Sequence, residues 1–429
     1  MSAGLHNGDP WAPRPDYQRT SWQTHNPQGV PAPSDPGAAG PLGPAGNPAG
    51  PRRAVAANGS VPDWARTHAQ RRRRRGDIAR FVLATLGGLG LIAVMAAVYI
   101  TTDGSTPQIL VAAVLAFLPL GLVLVAVRWI DRWEPEPISV QVAAFLWGAG
   151  VATVVSMIVN TTASQVAFEA TGSENDAALF SAVVSAPIIE ETTKGLGVLI
   201  IFLIWRRSFN GAVDGIVYAS VVAAGFAFAE NILYFVQYAD SLAETFFLRG
   251  IASPFAHVTF TASTGLAIGS SARRRSPLAW LWLAPLGLTG AIILHAFWNG
   301  VVAAMPEFYF VVEVPFFLAC VGLVLWLRWS ERMTMRTRLS EYARAGWFDP
   351  AEVTMLTTNS GRAAARRWAW LRGPRAAQAM HEFQRAAAAL AQLRQQAVDG
   401  HADADYGTTQ AQLLRTVADC RATFLGTRR

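Results

Sequence analysis

"IIEETTKG" (residues 188–195) interrupts a run that is otherwise apolar, with "LFSAVVSAP" ahead of it and "LGVLIIFLIW" behind it. The flanks together are long enough to cross a bilayer, so Glu190, Glu191 and Lys194 fall inside a membrane helix predicted over 179–205. A charged side chain near mid-bilayer costs about 2.5–3.5 kcal/mol on insertion scales. Such groups persist where they face protein or a wet cavity. Glu190 and Lys194 are four residues apart and share a helix face. Glu191 is turned from Glu190 by roughly 100°. One carboxylate can therefore face a cavity while the other is held by a neighbouring helix.

Outward from this helix the same pattern repeats. The chain has 429 residues, 52% hydrophobic and 15% charged, and its apolar residues come in blocks. Blocks of about 20 residues indicate membrane spans rather than a soluble core. Eight spans are predicted, at about 81–100, 108–127, 139–160, 179–205, 212–235, 251–271, 278–303 and 311–327. The expected fold is all-α, a polytopic membrane helix bundle of about eight transmembrane helices. Pro187 and the charges should kink or break the fourth. Arg71–Arg75 precede the first span, and arginines follow spans two, four, six and eight. The intervening loops hold one basic residue, Arg249. By the positive-inside rule both termini are expected to be cytoplasmic, in a multi-pass protein of the cell membrane. The basic residues flank apolar blocks, so they are topology signals and no nucleic-acid partner is expected.

Residues 1–62 hold 12 of the 24 prolines and are expected to be disordered. No cleavable signal peptide is visible. The two cysteines, Cys320 and Cys420, do not suggest a disulfide. Three regions result: a cytoplasmic segment 1–75, a membrane domain 76–330 and a helical cytoplasmic tail 331–429. In the tail, "FDPAE" (348–352) reads as a helix start, with Asp349 as N-cap and Pro350 at the first helical position. Residues 374–399 and 407–424 read as amphipathic helices.

The costly polar residues inside the spans are few: Glu190, Glu191, Lys194, Glu230, Asn231, His257, His295 and Asn299. At roughly 1.5 Å per residue, those on all four helices fall about 6–17 Å from the predicted outer ends. Antiparallel helices thus bring them to one layer. Of 36 basic residues 35 are arginine, and Lys194 is the only lysine. A lysine retained against that bias marks a place where a guanidinium would not serve.

Carboxylates with two imidazoles can hold zinc or another divalent metal, and Glu230, His257 and His295 form one candidate set. A metal would activate water and polarise a carbonyl. Without metal, a glutamate can activate water while His and Asn stabilise the oxyanion. Both routes lead to peptide hydrolysis, and both stay open. Serine GxSG, aspartyl GxGD and HExxH signatures are absent; His381-Glu382 begins the last, but position 385 is Arg. The alternative class is an ion-coupled membrane transporter using Glu, Lys and His as a relay. Transporters usually show paired repeats, whereas here the polar groups concentrate in spans four to seven.

These residues resemble the PrsW family of intramembrane proteases, which is related to the CAAX-processing and bacteriocin-processing membrane peptidases. The likeness rests on "EETTK" (190–194), "DGIVYASVVAAGFAFAENILY" (214–234), "RGIASPFAH" (249–257) and "HAFWNG" (295–300), in order on successive spans, with "DRWEPEP" (131–137) at the start of span three. It covers roughly residues 80–330. The resemblance implies an endopeptidase that cuts membrane-anchored proteins, anti-sigma factors among them, near the extracytoplasmic side of the lipid bilayer. It carries the family's motif residues onto Glu190, Glu191, Lys194, Glu230, Asn231, His257, His295 and Asn299, with catalytic roles implied for all but the two histidines. In "FAFAE" (226–230) a glutamate stands where the CAAX-processing relatives have histidine.

Overall fold

In the computed structural model, the described residues are 63–101, 105–133, 135–206, 209–304, 308–400 and 405–426. The expected disorder over 1–62 lies outside them. Among the described residues every regular element is helical. They fall into two compact units. One takes Arg74–Thr334 with the short stretch Gln395–Ala402, and the other includes Met335–Arg394 and the last helix.

The membrane unit begins within α1 (Asp63–Thr101), at Arg74, and continues with α2 (Thr106–Ile130). Next come α3 (Ile138–Leu146) and α4 (Thr153–Thr171), continuous through a π-helical segment at Trp147–Ala152. The third span therefore runs well past residue 160, where hydropathy had placed its end. Gly172, in the left-handed region at φ 67°, stops it, and Ser173 caps α5 (Glu174–Phe180) through its hydroxyl. A second π segment, Ser181–Ser185, leads into α6 (Ala186–Trp205). Pro187 sits in the first turn of α6 and has no N–H to give the turn before it. The expected kink takes the form of this wider turn.

The remaining membrane helices are α7 (Ala212–Gln237), α8 (Leu242–Phe246), α9 (Ala256–Ser271), α10 (Trp280–Ala304) and α11 (Tyr309–Arg344). A third π segment, Phe247–Ala252, joins α8 to the turn before α9. Six helical stretches are long and apolar enough to cross a membrane: Gly76–Thr101, Thr106–Ile130, Ile138–Thr171, Ala212–Gln237, Trp280–Val301 and Phe310–Arg344. The other two expected spans are α6, whose 20 residues include three charges, and α9, with 16 residues. Both pack against α7. The most apolar 18 residues of the α7 stretch are 83% buried, whereas none is buried in the corresponding part of the α11 stretch, so α7 is the centre of the bundle.

Small residues make that centre possible. A Cβ on Gly215 would collide with the carbonyl oxygen of Gly265, and one on Gly269 with that of Gly211. The Gly265–Gly269 pair thus sets α9 directly on the first half of α7. Across α7, Gly225 meets the carbonyl of Phe145 in the same way. Exposed Leu110, Val114, Leu118 and Val125 on α2 give the bundle the apolar exterior a lipid-facing helix needs.

The second unit holds the end of α11, then α12 (Pro350–Leu356), α13 (Asn359–Trp370), α14 (Pro374–Val398) as far as Arg394, and α15 (Tyr406–Leu425). Asp349 caps α12 in a full capping box with Glu352. Arg421 ties α15 to this box, donating to both Glu352 oxygens at 2.8 Å and to Trp347 O at 3.0 Å. Phe383 and Phe424 meet edge to face at 5.3 Å between centroids and pin α14 to α15.

Candidate active site

Four helices supply the polar residues singled out from the sequence. α6 brings Glu190, Glu191 and Lys194; α7 brings Glu230 and Asn231; α9 brings His257; α10 brings His295 and Asn299. Glu191 and Lys194 are fully buried, and Glu190 and His295 retain 5% and 3% exposure. At that depth each must find partners within the bundle.

Lys194 is the hub. Its Nζ donates to Glu191 Oε1 at 2.9 Å, to Glu190 Oε2 at 3.3 Å and to His257 Nδ1 at 3.0 Å. The ammonium also stands 3.9 Å from the Phe226 ring centroid, a favourable cation–π contact. Three convergent donors and a compact head are what lysine has and arginine lacks.

Glu191 is held on all sides. Besides Lys194 it meets His295 Nδ1 at 3.1 Å, and Thr261 Oγ1 donates to its second oxygen at 2.8 Å. Glu190 is held more loosely, with Lys194 at 3.3 Å and the Asn160 amide at 3.4 Å. Asn160 in turn accepts from Ser185 Oγ at 2.8 Å, which ties α4 to the second π segment. The two adjacent glutamates thus have different surroundings. One is fixed; the other is held loosely, with an oxygen within 4.8 Å of a nitrogen of each histidine.

His257 and His295 cross nearly perpendicular, 5.3 Å between ring centroids. Phe260 stacks on His295 at 4.9 Å, and Phe226 meets His257 at 5.4 Å. These rings give the imidazoles apolar walls. Glu230 meets His257 Nε2 at 2.8 Å and pairs with Arg249. Asn231 accepts from Arg249 Nε at 2.8 Å. Asn299 donates to Ala182 O at 2.8 Å, in the turn that Pro187 leaves without a donor. Asn231 and Asn299 therefore support the cluster from its edges.

Three carboxylates, Glu190, Glu191 and Glu230, stand against two basic side chains, Lys194 and Arg249. Glu190, His257 and His295 each bring a donor atom within 4.8 Å of the others, so Glu190 stands where the sequence suggested Glu230, whose Oε2 is taken by Arg249 and His257. That N,N,O set fits a divalent metal such as zinc. The Nδ1–Glu191 bond of His295 is the carboxylate partner that orients a metal-ligating imidazole. His257 faces Lys194 through Nδ1 and Glu230 through Nε2, so a metal on His257 takes the place of one of them.

Sequence reasoning missed Arg249, Asn160, Ser185 and the Ala182 carbonyl. Asn160 lay at an expected helix end, and the others depend on π segments that hydropathy does not reveal. "DRWEPEP" forms an interfacial turn. Asp131 accepts from Glu136 N at 3.1 Å and from Gln141 at 2.9 Å, and Tyr218 donates to Glu136 at 2.6 Å, which fixes the start of α3 on α7. Burial pushes the Asp131 carboxyl up from its ordinary 3.8 to about 6, against the pull of the Glu136 N–H, Gln141 and Arg128.

The profile of the family described as "PrsW family intramembrane metalloprotease" matches residues 136–323, which include every one of these site residues. Protease PrsW of Clostridioides difficile (strain 630) is 30% identical over 183 residues, 41% of this chain and 75% of that protein. Protease PrsW of Geobacillus kaustophilus (strain HTA426) is 29% identical over 164 residues, 37% of this chain and 68% of its own length. Protease PrsW of Bacillus subtilis (strain 168) is 25% identical over 216 residues, 49% of this chain and 93% of its own. No solved structure matches the chain. With four ordered motifs converging on one buried cluster in a polytopic helix bundle, and with these relatives covered over most of their length, the chain belongs to the PrsW family of intramembrane proteases.

Proposed function

We propose that the chain hydrolyses peptide bonds of membrane-anchored proteins, anti-sigma factors among them, near the extracytoplasmic face. The observation that carries this reading is the unequal pair on α6, with Glu191 locked by Lys194, Thr261 and His295 and Glu190 turned towards both histidines. In the route without metal, Glu190 takes the water proton and later returns it to the leaving amine. Glu191 sets the orientation of His295. Lys194 is the cation nearest to both carboxylates and balances negative charge that develops beside them. The phenylalanine walls limit the water that reaches the cluster.

Glu190, His257 and His295 are the residues that would hold a divalent metal; when bound, it lowers the pKa of its water and polarises the scissile carbonyl. The alternation of arginine-rich and arginine-poor loops supports cytoplasmic termini, with the cluster towards the far side of the bilayer.

The test is cleavage of a membrane-anchored reporter by the purified protein in nanodiscs, with the cut site read by mass spectrometry. Membrane proteomes of wild type and a Glu191→Gln strain then name the natural substrates as proteins that accumulate uncut. Equal cleavage by wild type, Glu190→Gln and Glu191→Gln would reject the glutamate mechanism.

A further inference from the structure

Arg249 is the one basic residue of the loops that the arginine pattern otherwise leaves bare. It is no topology signal, because its side chain turns inward and retains 23% exposure. The third π segment, Phe247–Ala252, carries it to α7. There the guanidinium pairs with Glu230, donates from Nε to Asn231 and lies 4.0 Å from the Tyr234 ring centroid. Residues 230, 231 and 234 occupy one face of a helix, so a single planar fork reads all three.

Glu230 Oε2 is shared. It takes Arg249 on one side and His257 Nε2 on the other. The opposite nitrogen of His257, Nδ1, faces Lys194, whose ammonium has donors only. Nδ1 must then be the acceptor, and the ring proton belongs on Nε2, donated to Glu230. We propose that Arg249 is a positioning residue: by fixing and neutralising Glu230 it holds His257 in the Nε2–H tautomer, with Nδ1 turned to the reacting centre. Arg249 also balances the third carboxylate, which leaves Lys194 to Glu190 and Glu191. Removing it frees Glu230 to turn, so His257 loses its Nε2 partner and with it the orientation that keeps Nδ1 on Lys194, and the imidazole then samples both tautomers.

This inference rests on the protease reading, but part of its test needs no cleavage. Full-length protein with ¹⁵N-labelled histidine is placed in nanodiscs, and the ring nitrogens of His257 are assigned by difference against His257→Gln. Wild type should show Nε2 protonated and Nδ1 bare, and Arg249→Gln should show a mixture. With a cleaved reporter, Arg249→Gln should lower kcat about 10- to 100-fold with little change in KM, the range seen when an orienting partner of a reactive histidine is removed. Arg249→Lys, which keeps the charge but not the fork, should recover part of the loss. The double variant with Glu230→Gln should be no slower than the slower single, because both act through one carboxylate. An unchanged tautomer in Arg249→Gln would overturn the proposal, as would a loss confined to KM or singles whose effects multiply. Failure of wild type to cut any membrane-anchored protein would overturn the protease reading, and the histidine spectrum would still decide this one.

Discussion

The ammonium of Lys194 lies 3.0 Å from Nδ1 of His257, a residue 63 positions further along the chain and on another helix. A donor-only cation on an imidazole nitrogen is informative, because it assigns the proton on that ring. It also places a fixed positive charge where two carboxylates and both histidines converge. Loss or exchange of Lys194 should therefore be felt at once. Lys194→Met leaves two buried carboxylates without their cation and should destabilise the protein by about 3–5 kcal/mol, the cost of breaking a buried pair from one side. Lys194→Arg keeps the charge but cannot converge three donors beside Phe226, and should lower cleavage at least about 10-fold. Denaturation in detergent and reporter cleavage read the two effects separately.

Glu191→Gln should lower cleavage about 10- to 100-fold, the range for removing the carboxylate that orients a reactive histidine, while the protein inserts and elutes as wild type does. The amide keeps the side chain's volume but gives up the charge that Lys194 and His295 share. Cleavage at the wild-type rate would show that Glu191 neither orients His295 nor assists water.

Metal content gives a separate check. Purified wild type should bind up to one divalent ion per chain, and His295→Ala and His257→Ala should each bind less, because each removes one of three donors. Elemental analysis after dialysis against limiting zinc measures this without any substrate. Equal metal in wild type and in both variants would place the ion elsewhere.

Asp131 should give the protein a pH-dependent stability. Its carboxyl titrates at about 6 when folded, against an ordinary 3.8, so the folded protein binds the proton more tightly than the unfolded chain does. The stabilisation is complete below about 3.8 and is lost as pH rises through about 6. Asp131→Asn should flatten the thermal midpoint against pH across that window. A slope equal to wild type would assign the titration to another group.

Gly265→Val should destabilise by more than about 1–3 kcal/mol, the usual cost of overpacking, because the new side chain meets backbone rather than a movable side chain. Thermal midpoints in detergent, compared with Gly290→Val, are the measurement. A Cβ at Gly290 would find its nearest neighbour at 3.8 Å, so that substitution should cost less. Equal costs would show that the close approach of α7 and α9 carries no special weight.

Much of this architecture was legible in the sequence, for a physical reason. Apolar blocks of fixed length have few alternatives in a bilayer, so the order of the helices could be read directly. Glu190, Glu191, Lys194, Glu230, His257 and His295 stood out because each is expensive where it sits. Arg249 did not, since a charge in a loop costs nothing until the loop folds inward. The third span was read as ending at residue 160 because "TTASQVAFEAT" (161–171) is less apolar, yet these residues continue the helix and leave Asn160 within hydrogen-bond reach of Glu190. The π segments were hidden for a related reason: they change hydrogen-bond register without changing composition.

The glycine seam between α7 and α9 lies at the opposite end of the two helices from His257 and Glu230. Where backbones touch, no file of water molecules can pass between them. The polar cluster at one end of this helix pair is therefore walled off from the other end by backbone alone, with no side chain needed to close the gap.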